Sequence, residues 1–262
     1  MILNKRKKNK EGERVLDLSV SKLIDSRFRE YAVYVLEQRG IPSFYGALTP
    51  VQRYILMNTP NRYVKTLSVV GKSIEDGYHH GNSSLEKAIA KLARPFGSSN
   101  QILDGYGFFG TEVSPDPAAA RYTSVRLSKN TDSILGEYRH LTTKKEDAPY
   151  DPLWTSVPLG LTTSIVGIAV GYKTTVLPRK ELDIRKYLNG ETDRIKPHFT
   201  NFTGTIRQYK QLPNAWIITS KFSTGDRRLG VDGLPPVSKY SSVLKKVNDL
   251  LLGHEGLSLI HI

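Results

Sequence analysis

Apolar residues recur at helical spacing in four segments of the chain. The first runs from Leu18 to about Gln38 and predicts an amphipathic helix that ends before Gly40. The second, residues 49–58 (TPVQRYILMN), has Pro50 where proline suits the first turn of a helix. The apolar face predicted for the first helix consists of Leu23, Ile24, Phe28, Tyr31, Ala32 and Val35.

The other two helical segments lie in the middle and at the end of the chain. In residues 79–96 (HHGNSSLEKAIAKLARPF), Ser83 followed by Glu86 has the pattern of a capping box, and Pro95 ends the helix. Residues 238–253 (SKYSSVLKKVNDLLLG) predict the last helix.

Between these two helices the pattern changes to short alternating runs and glycine-rich turns. Residues 104–110 (DGYGFFG) predict a turn, and residues 121–127 (RYTSVRL) alternate as a strand does. Residues 161–178 predict one or two β-branched strands with glycines at the bends. Residues 202–209 and 215–222 add further strands, so the whole pattern predicts an α+β fold.

The composition indicates a basic protein with enough apolar residues for a core. Of 262 residues 39% are hydrophobic, and 38 lysines and arginines against 25 acidic residues give a formal net charge of +13. Such an excess favours a polyanionic partner, nucleic acid ahead of an anionic membrane surface. Six of the basic residues fall in residues 1–14, which predicts a disordered basic arm over residues 1–17, either solvated or in contact with nucleic acid.

Several classes of location and chemistry are disfavoured. No run approaches the roughly 18 to 20 apolar residues of a membrane span, and no apolar segment follows the basic start, so we expect neither a membrane nor a secreted protein. The chain has no cysteine, which excludes disulfides, thiol nucleophiles and thiolate metal sites.

Tyr122 is the first candidate for chemistry. It follows Arg121 and three alanines in DPAAARYTSVRLS, and Arg126 comes four residues later. A free phenol is almost wholly protonated at neutral pH, so a nucleophilic tyrosine needs a cation or a base beside it. The forked guanidinium of Arg121 is a permanent cation that can also bind a phosphate through two N–H groups. The alternative from these residues alone is an ordinary packed tyrosine in a strand.

His79 and His80 are the second candidate. They precede the third predicted helix, and because consecutive side chains diverge they make a poor metal chelate. A helix N-terminus with two imidazoles and small residues such as Gly81 and Ser83 suits a phosphate group instead. Polar loop histidines that cap a helix are the alternative.

The third candidate is the run IVGIAVG, residues 165–171. It is most simply a hairpin in the core, bounded by Gly167 and Gly171. Alternatively, an exposed Ile168 on this hairpin would wedge between base pairs and bend DNA from the minor groove.

Five ordered motifs resemble the breakage-reunion subunit of type IIA DNA topoisomerases, in particular the branch found in T4-like phages. The motifs are RGIPSFYGALTPVQRYIL, YHHGNSSLEKAIAKLARPF, LDGYGFFG, AAARYTSVRLS and GIAVGY, and the resemblance runs from about Leu18 to Gly253.

The resemblance implies roles for the candidate residues. Tyr122 matches the nucleophile that forms a 5′-phosphotyrosyl link to DNA, and Arg121 matches the arginine that stabilises the pentacovalent phosphate. His79 and His80 match the paired histidines near the scissile phosphate, with His80 the better candidate for transition-state contact or proton handling.

Further positions match residues that bind DNA. Arg53 and Lys65 match basic residues that hold the DNA backbone, and Ile168 matches the isoleucine that intercalates and bends the DNA. Ser83, beside the histidines, and Arg126, beyond the tyrosine, are the remaining expected DNA contacts.

The resemblance also implies a domain plan. A winged-helix (CAP-like) breakage-reunion domain is expected over residues 18–185 and part of an α/β tower domain over residues 186–256, with the coiled coil and the C-terminal dimer gate missing. Residues 257–262 (LSLIHI) match one reading frame of a sequencing adapter and are expected to be non-native.

The expected partners are double-stranded DNA, a second copy of this chain, and a separate subunit with TOPRIM and ATPase domains. That subunit would hold the Mg²⁺ and use the ATP, since the chain shows neither a glycine-rich nucleotide loop nor a DxD cluster. The expected location is cytoplasmic, in a host cell if the source is viral.

Some features leave other functions open. Gly46, Ala47 and Thr49 replace the family's usual aspartate, glycine and lysine, so one expected backbone contact is missing. The main alternative is a catalytically silent winged-helix module that binds and bends DNA. A tyrosine recombinase fits less well, because its tyrosine normally lies near the C-terminus beyond an Arg-His-Arg set.

Overall fold

The structure is a computed structural model that describes residues 7–8, 14–15, 19–142, 150–212, 215–225, 228–234, 236 and 240–252. The helices in these ranges are α1 (Val20–Val35), α2 (Pro50–Asn58), α3 (Thr66–Glu75), α4 (Asn82–Ala93), α5 (Lys129–Leu135), α6 (Glu181–Leu188) and α7 (Tyr240–Leu252). A π-helical turn, Leu36–Gly40, continues α1, and 3-10 turns cover Gly136–Leu141 and Leu159–Thr162.

The strands are short and pair only with antiparallel neighbours in the described ranges. They are β1 (Lys7–Lys8), β2 (Arg14–Val15), β3 (Val64–Lys65), β4 (Leu103–Tyr106), β5 (Ser124–Leu127), β6 (Ile165–Ala169), β7 (Tyr172–Val176), β8 (Thr205–Gln208), β9 (Trp216–Thr219), β10 (Lys221–Gly225) and β11 (Arg228–Asp232). Apart from the paired β1 and β2, the predicted basic arm lies outside the described residues, as does the tail 257–262.

The helices begin where local chemistry satisfies their free N–H groups. A capping box opens α2, where the side chain of Gln52 accepts a hydrogen bond from the backbone N–H of Thr49 at 2.9 Å, and Pro50 follows. The predicted capping box at Ser83 is wrong. Helix α4 begins at Asn82, and its N-cap is Gly81, whose φ of +93° places it in a region that favours glycine. Gly81 has no side chain, so the first turn of α4 has no side-chain cap.

The segment from α2 to β5 confirms the predicted winged-helix arrangement. Its order is α2, β3, α3, α4, β4, β5, and the three strands form one antiparallel sheet in the order β3-β5-β4. Lys65 pairs with Ser124 across β3 and β5, and Leu103 pairs with Leu127 across β4 and β5. Residues of the helices and of the sheet form one core, whose fully buried members include Ile55, Leu56, Val69, Leu85, Ile89, Leu103 and Val125. Each such side chain contributes about 1.5–3 kcal/mol through removal from water.

The later segment confirms the prediction of one or two strands over residues 161–178, and two are present. Strands β6 and β7 form a hairpin whose turn contains Gly171, with a φ of +70°. The predicted strands at 202–209 and 215–222 appear as β8 and β9, which pair, and the predicted last helix appears as α7.

Polar contacts join α6, which follows the hairpin, to the loop after α4 and to α5. Glu181, the first residue of α6, accepts hydrogen bonds from Asn100 at 3.1 Å and Asn130 at 2.8 Å. Burial would raise the pKa of the Glu181 carboxyl, but hydrogen bonds from Asn130, Arg185 and Asn100 outweigh it and lower that pKa. The division expected between residues 185 and 186 falls inside α6.

Three features differ from the sequence predictions. The first helix ends in a π-helical turn, and of its predicted apolar face only Val35 is buried; Leu23, Ile24, Phe28 and Tyr31 are 42–58% exposed. Periodicity shows that a helix has an apolar face, but it does not show whether the same chain covers it. Helices α3, α5 and α6 are absent from the sequence predictions. In α3, the stretch TLSVVGKSIE mixes β-branched residues with a glycine, and both have low helix propensity. The strand predicted over residues 121–127 begins only at Ser124.

Arg139 allows a test of how α2 is held at its C-terminal end. Its guanidinium donates hydrogen bonds to the carbonyl oxygens of Leu56, Met57 and Thr59 at 3.1, 2.5 and 3.2 Å. Replacement by methionine would leave these acceptors without a charged donor, so Arg139→Met should lower the free energy of unfolding by about 1.5–3 kcal/mol. Urea denaturation followed by circular dichroism measures this.

The matched control for Arg139→Met is Arg27→Met. Arg27 pairs with Glu30 at 3.4 Å on the exposed surface of α1, and exposed ion pairs contribute at most about 1 kcal/mol. Equal losses in the two variants would contradict the capping role of Arg139.

Candidate active site

Tyr122 lies in a turn that presents it to solvent. Residues 120–122 form the turn before β5, where the N–H of Tyr122 donates to the carbonyl oxygen of Ala119 at 2.9 Å. The next residue, Thr123, is buried, and its hydroxyl hydrogen-bonds to that of Thr66 at 2.7 Å. Because Thr123 anchors the chain, the preceding side chain points outward, and Tyr122 is 66% exposed. The prediction that Tyr122 lies within a strand is therefore wrong.

The side chains around Tyr122 are basic. The guanidinium carbon of Arg121 lies 4.8 Å from the centre of the Tyr122 ring. Lys65 is exposed and pairs with Ser124, so β3 brings this lysine to the side of the same turn. A phosphate that reached the Tyr122 hydroxyl would thus meet positive charge from both neighbours.

His79 and His80 form a second cluster. Their ring centres are 4.5 Å apart. His79 Nδ1 lies 3.1 Å from the carbonyl oxygen of Gly77 and therefore carries the proton in the neutral ring, since a carbonyl only accepts. His79 Nε2 then accepts a hydrogen bond from the hydroxyl of Tyr34 at 2.6 Å. Both nitrogens of His79 are thus paired within the protein.

His80 has the opposite tautomer. Arg39 donates to His80 Nδ1 at 3.2 Å, and because a guanidinium only donates, the proton of the neutral ring lies on Nε2. That Nε2 is buried and has no hydrogen-bond partner among the described residues. Burial, and then the charges of Arg39 and His79, lower the pKa of His80 below its usual value. His80 is therefore neutral at neutral pH and carries one unpaired N–H donor.

The start of α4 lies immediately beyond these histidines. Gly81 separates His80 from the first turn, which has no side-chain cap and in which Ser83 is exposed. Backbone N–H groups at an uncapped helix N-terminus bind anions readily. The Nε2–H of His80, the helix N-terminus and the Ser83 hydroxyl are therefore donors suited to a phosphate.

The two clusters are built separately. In the described part of the chain, no hydrogen bond, ion pair or ring contact joins Tyr122 or Arg121 to His79 or His80. A ligand that uses both clusters has to connect them.

Of the other residues predicted to contact DNA, some are exposed and others are already bonded to groups within the protein. Ile168 is 65% exposed, and Lys65 is exposed as well. Arg53 is only 5% exposed, and its guanidinium donates to the carbonyl oxygen of Leu48 at 3.3 Å. Arg126 forms an ion pair with Asp104 at 2.9 Å. Direct phosphate contact by Arg53 or Arg126 would require each to exchange these protein partners, and their role in DNA binding stays a prediction.

Arg39 and Tyr34 are site residues that the sequence predictions missed. Arg39 is the first residue of the motif RGIPSFYGALTPVQRYIL. The sequence analysis assigns DNA binding to Arg53 of that motif and no role to Arg39. The contact between Arg39 and His80 spans 41 positions, and that between Tyr34 and His79 spans 45. A basic residue at the end of an amphipathic helix was the one available signal, and it is a weak one.

The site does not have the ligands that Mg²⁺ prefers. In the described ranges no group of three histidine, aspartate or glutamate side chains is placed to bind a metal ion. The described side-chain contacts of Tyr122 and His80 are with arginine, histidine and tyrosine, whereas Mg²⁺ takes carboxylate and other oxygen ligands. None of the helices described is long and apolar enough to cross a membrane.

Comparison with known proteins decides the family. A model of the family that comprises the A-type subunits of DNA gyrase and topoisomerase IV matches residues 39–261. The chain belongs to this DNA gyrase/topoisomerase IV family. The match confirms the resemblance carried by the five motifs.

Individual relatives agree with the family match. The DNA topoisomerase medium subunit of Enterobacteria phage T4 is 31% identical over 198 residues, which cover 70% of this chain and 45% of that protein. The A-type subunit of Haemophilus influenzae DNA gyrase is 31% identical over 194 residues, or 67% of this chain and 21% of that protein. The chain thus spans less than half the length of these two relatives.

A solved structure supports the fold. The DNA-binding, cleavage and re-ligation domain of Plasmodium falciparum topoisomerase II superposes with a TM-score of 0.76 at 24% identity, covering 89% of this chain and 34% of that one. The likeness shows that this chain has the same fold.

The contact between Arg39 and His80 predicts a change in titration. Loss of the guanidinium charge and of its hydrogen bond removes part of what favours the neutral ring, so Arg39→Met should raise the pKa of His80. Wild-type His80 should stay neutral as the pH falls through 6.5, whereas the variant should take up its proton at a higher pH. NMR titration of the histidine ring protons measures both.

Arg29→Met is the control, since Arg29 lies on α1, before the turn that holds Arg39, and no described contact joins it to His80. The same titration midpoint in wild type and Arg39→Met would contradict the assigned contact.

Proposed function

We propose that this chain is the DNA-cleaving and resealing subunit of an ATP-dependent type II DNA topoisomerase. The observation that carries the proposal is the exposed Tyr122 beside Arg121, in a chain that also has a buried Nε2–H on neutral His80 with no partner among the described residues. Membership of the DNA gyrase/topoisomerase IV family supports it.

The proposed reaction is a transesterification. The Tyr122 oxygen attacks a DNA phosphorus as the phenol proton leaves to water, and the bond from phosphorus to the 3′ oxygen breaks. The leaving 3′ oxygen takes up a proton from water, so the products are a 5′-phosphotyrosyl link and a free 3′-hydroxyl. Since one phosphoester replaces another, resealing is the reverse reaction and needs no nucleotide.

The other residues act on the charge of the phosphate. The Arg121 guanidinium would stabilise the pentacovalent transition state, and so would the Nε2–H of His80, since both are donors fixed before the reaction. His80 Nδ1 is occupied by Arg39 and its Nε2 is protonated, so in this state neither nitrogen can accept the phenol proton. We therefore favour transition-state contact over proton handling for His80. His79 packs against His80, and Tyr34 fixes its ring.

The metal, the nucleotide and the second strand break require other chains. We propose that a separate partner protein binds Mg²⁺, mainly through its TOPRIM domain, and uses the ATP, because the donors here are basic and phenolic. Two copies of this chain would each contribute one Tyr122, so that both DNA strands are cut. The complex would act in the cytoplasm, on cellular or viral DNA.

The β6–β7 hairpin supports a second part of the proposal. Ile168 and Val166 lie on the exposed face of β6, and Lys173 pairs with Ile168 across the hairpin. An exposed aliphatic side chain with a lysine beside it suits insertion between base pairs while the amine binds the backbone. Lys65 and Ser83 would bind flanking phosphates.

Covalent capture tests the enzymatic proposal. The chain is mixed with its TOPRIM/ATPase partner, Mg²⁺ and supercoiled DNA, and the reaction is quenched with denaturant to trap protein on 5′ ends. Wild type should form the adduct, and Tyr122→Phe should reduce it to background because the nucleophilic oxygen is gone.

The matched control is Tyr106→Phe. Tyr106 is 73% exposed on β4 and pairs with Ser124, so it is a surface tyrosine close to the same turn. An undiminished adduct in Tyr122→Phe would defeat the proposal. A wild type that binds and bends DNA but forms no adduct would instead support the silent DNA-bending module.

Bending is tested separately by energy transfer between dyes on the two ends of a DNA duplex. Ile168→Ala should reduce the bent population at least about tenfold, since the wedge that offsets unstacking is lost. Val166→Ala, on the same face of β6, should change it much less. Equal bending by wild type and Ile168→Ala would contradict the assigned wedge.

A further inference from the structure

The β6–β7 hairpin and the π-helical turn Leu36–Gly40 meet through their backbones. A Cβ atom added to Gly167 would lie 2.3 Å from the carbonyl oxygen of Gly40 and 2.9 Å from that of Arg39. On the other side, a Cβ atom on Gly40 would lie 3.0 Å from the Cβ of Ala169. The hairpin can approach the turn this closely only because position 167 has no side chain.

The π-helical turn connects this contact to the histidines. The N–H of Ile41 donates to the carbonyl oxygen of Leu36 at 3.0 Å, which closes the wide turn. Within it, the side chain of Arg39 donates to His80 while its carbonyl oxygen faces Gly167. A single residue therefore touches the histidine cluster on one side and the hairpin on the other. Single π-helical turns often occur at functional sites.

The hairpin connects the same contact to the exposed wedge. Side chains alternate along β6, so Gly167 faces the turn, whereas its neighbour Ile168 faces solvent. Ile168 is one peptide unit away from the backbone that packs on Arg39. If insertion of Ile168 into DNA displaces the hairpin, the backbone of Gly167 moves relative to the carbonyl oxygens of Arg39 and Gly40, which it contacts.

We propose that Gly167 is a positioning residue for DNA cleavage: its bare Cα lets the hairpin that carries Ile168 fix the backbone of Arg39, and thereby the contact between Arg39 and His80. The inference rests on the proposed function, and it adds a physical link between DNA bending and assembly of the cleavage site. Cleavage is favoured on DNA that the hairpin has engaged, because that engagement sets the position of Arg39.

The test uses Gly167→Ala in three measurements on the full chain. The added methyl group must displace the turn, so the covalent adduct formed with the TOPRIM/ATPase partner, Mg²⁺ and supercoiled DNA should fall at least about tenfold. The pKa of His80, followed by NMR without DNA or partner, should rise in the same direction as in Arg39→Met. The bent fraction of DNA should remain near that of wild type, because Ile168 is intact.

Gly71→Ala is the matched control. Gly71 lies in α3, and an added Cβ would meet no atom within 4 Å, so all three measurements should stay as in wild type. If Gly167→Ala folds poorly, Gly40→Ala is the milder variant, since its added Cβ would first meet the side chains of Ala169 and Leu36 at 3.0 and 3.1 Å. It should shift the His80 titration in the same direction.

The outcomes separate this inference from the proposed function. A wild-type adduct level and an unmoved His80 titration in Gly167→Ala, or in a folded Gly40→Ala when the first variant fails to fold, overturn the positioning role and leave the function standing. If wild type itself forms no adduct but the His80 titration shifts as expected, the proposed function fails and the structural link between hairpin and Arg39 stands.

Discussion

Strand β5 is the element on which the candidate site depends. It pairs with β3 on one side and with β4 on the other, while Val125 and Leu127 are buried in the core. The buried hydroxyl pair of Thr66 and Thr123 then fixes the chain one residue before β5 begins. Because the backbone is held so firmly at Thr123, the turn before it can present Tyr122 and Arg121 to solvent without losing its geometry. If Tyr122 is the nucleophile, as proposed, a rigid scaffold of this kind leaves little reorganisation for the arrival of substrate.

The second cluster shows how hydrogen-bond pairing assigns roles to two adjacent histidines. His79 has both ring nitrogens hydrogen-bonded, to Gly77 and Tyr34. His80 is held by Arg39 on one nitrogen and has a buried N–H on the other, unpaired among the described residues. A buried donor without a partner costs about 1–3 kcal/mol, and a ligand oxygen that accepts from it recovers that cost. Burial lowers the pKa of His80 and so favours the neutral ring, whose proton lies on the unpaired Nε2.

The fold joins these clusters to the exposed hairpin through glycines. Gly81 starts α4 without a side-chain cap, and Gly167 lets the hairpin pack on the backbone that carries Arg39. In both places the absence of a side chain permits a backbone arrangement that a larger residue would strain or prevent. Small residues therefore matter here as much as the charged ones, although neither glycine provides any chemistry.

Ordered motifs and hydrophobic periodicity are properties of neighbouring residues, so the sequence alone indicated the family resemblance and the α+β class. It also indicated Tyr122, Arg121, His79 and His80 as candidates. It also predicted α2, α4, α7 and the β6–β7 hairpin, where caps, prolines and glycines mark the ends. It did not show that Arg53 is buried, that Arg126 is paired with Asp104, or that Tyr34 and Arg39 reach the histidines. Only the tertiary structure decided these points, since burial and hydrogen-bond pairing depend on residues that are distant in the chain, 41 positions apart in the case of Arg39 and His80.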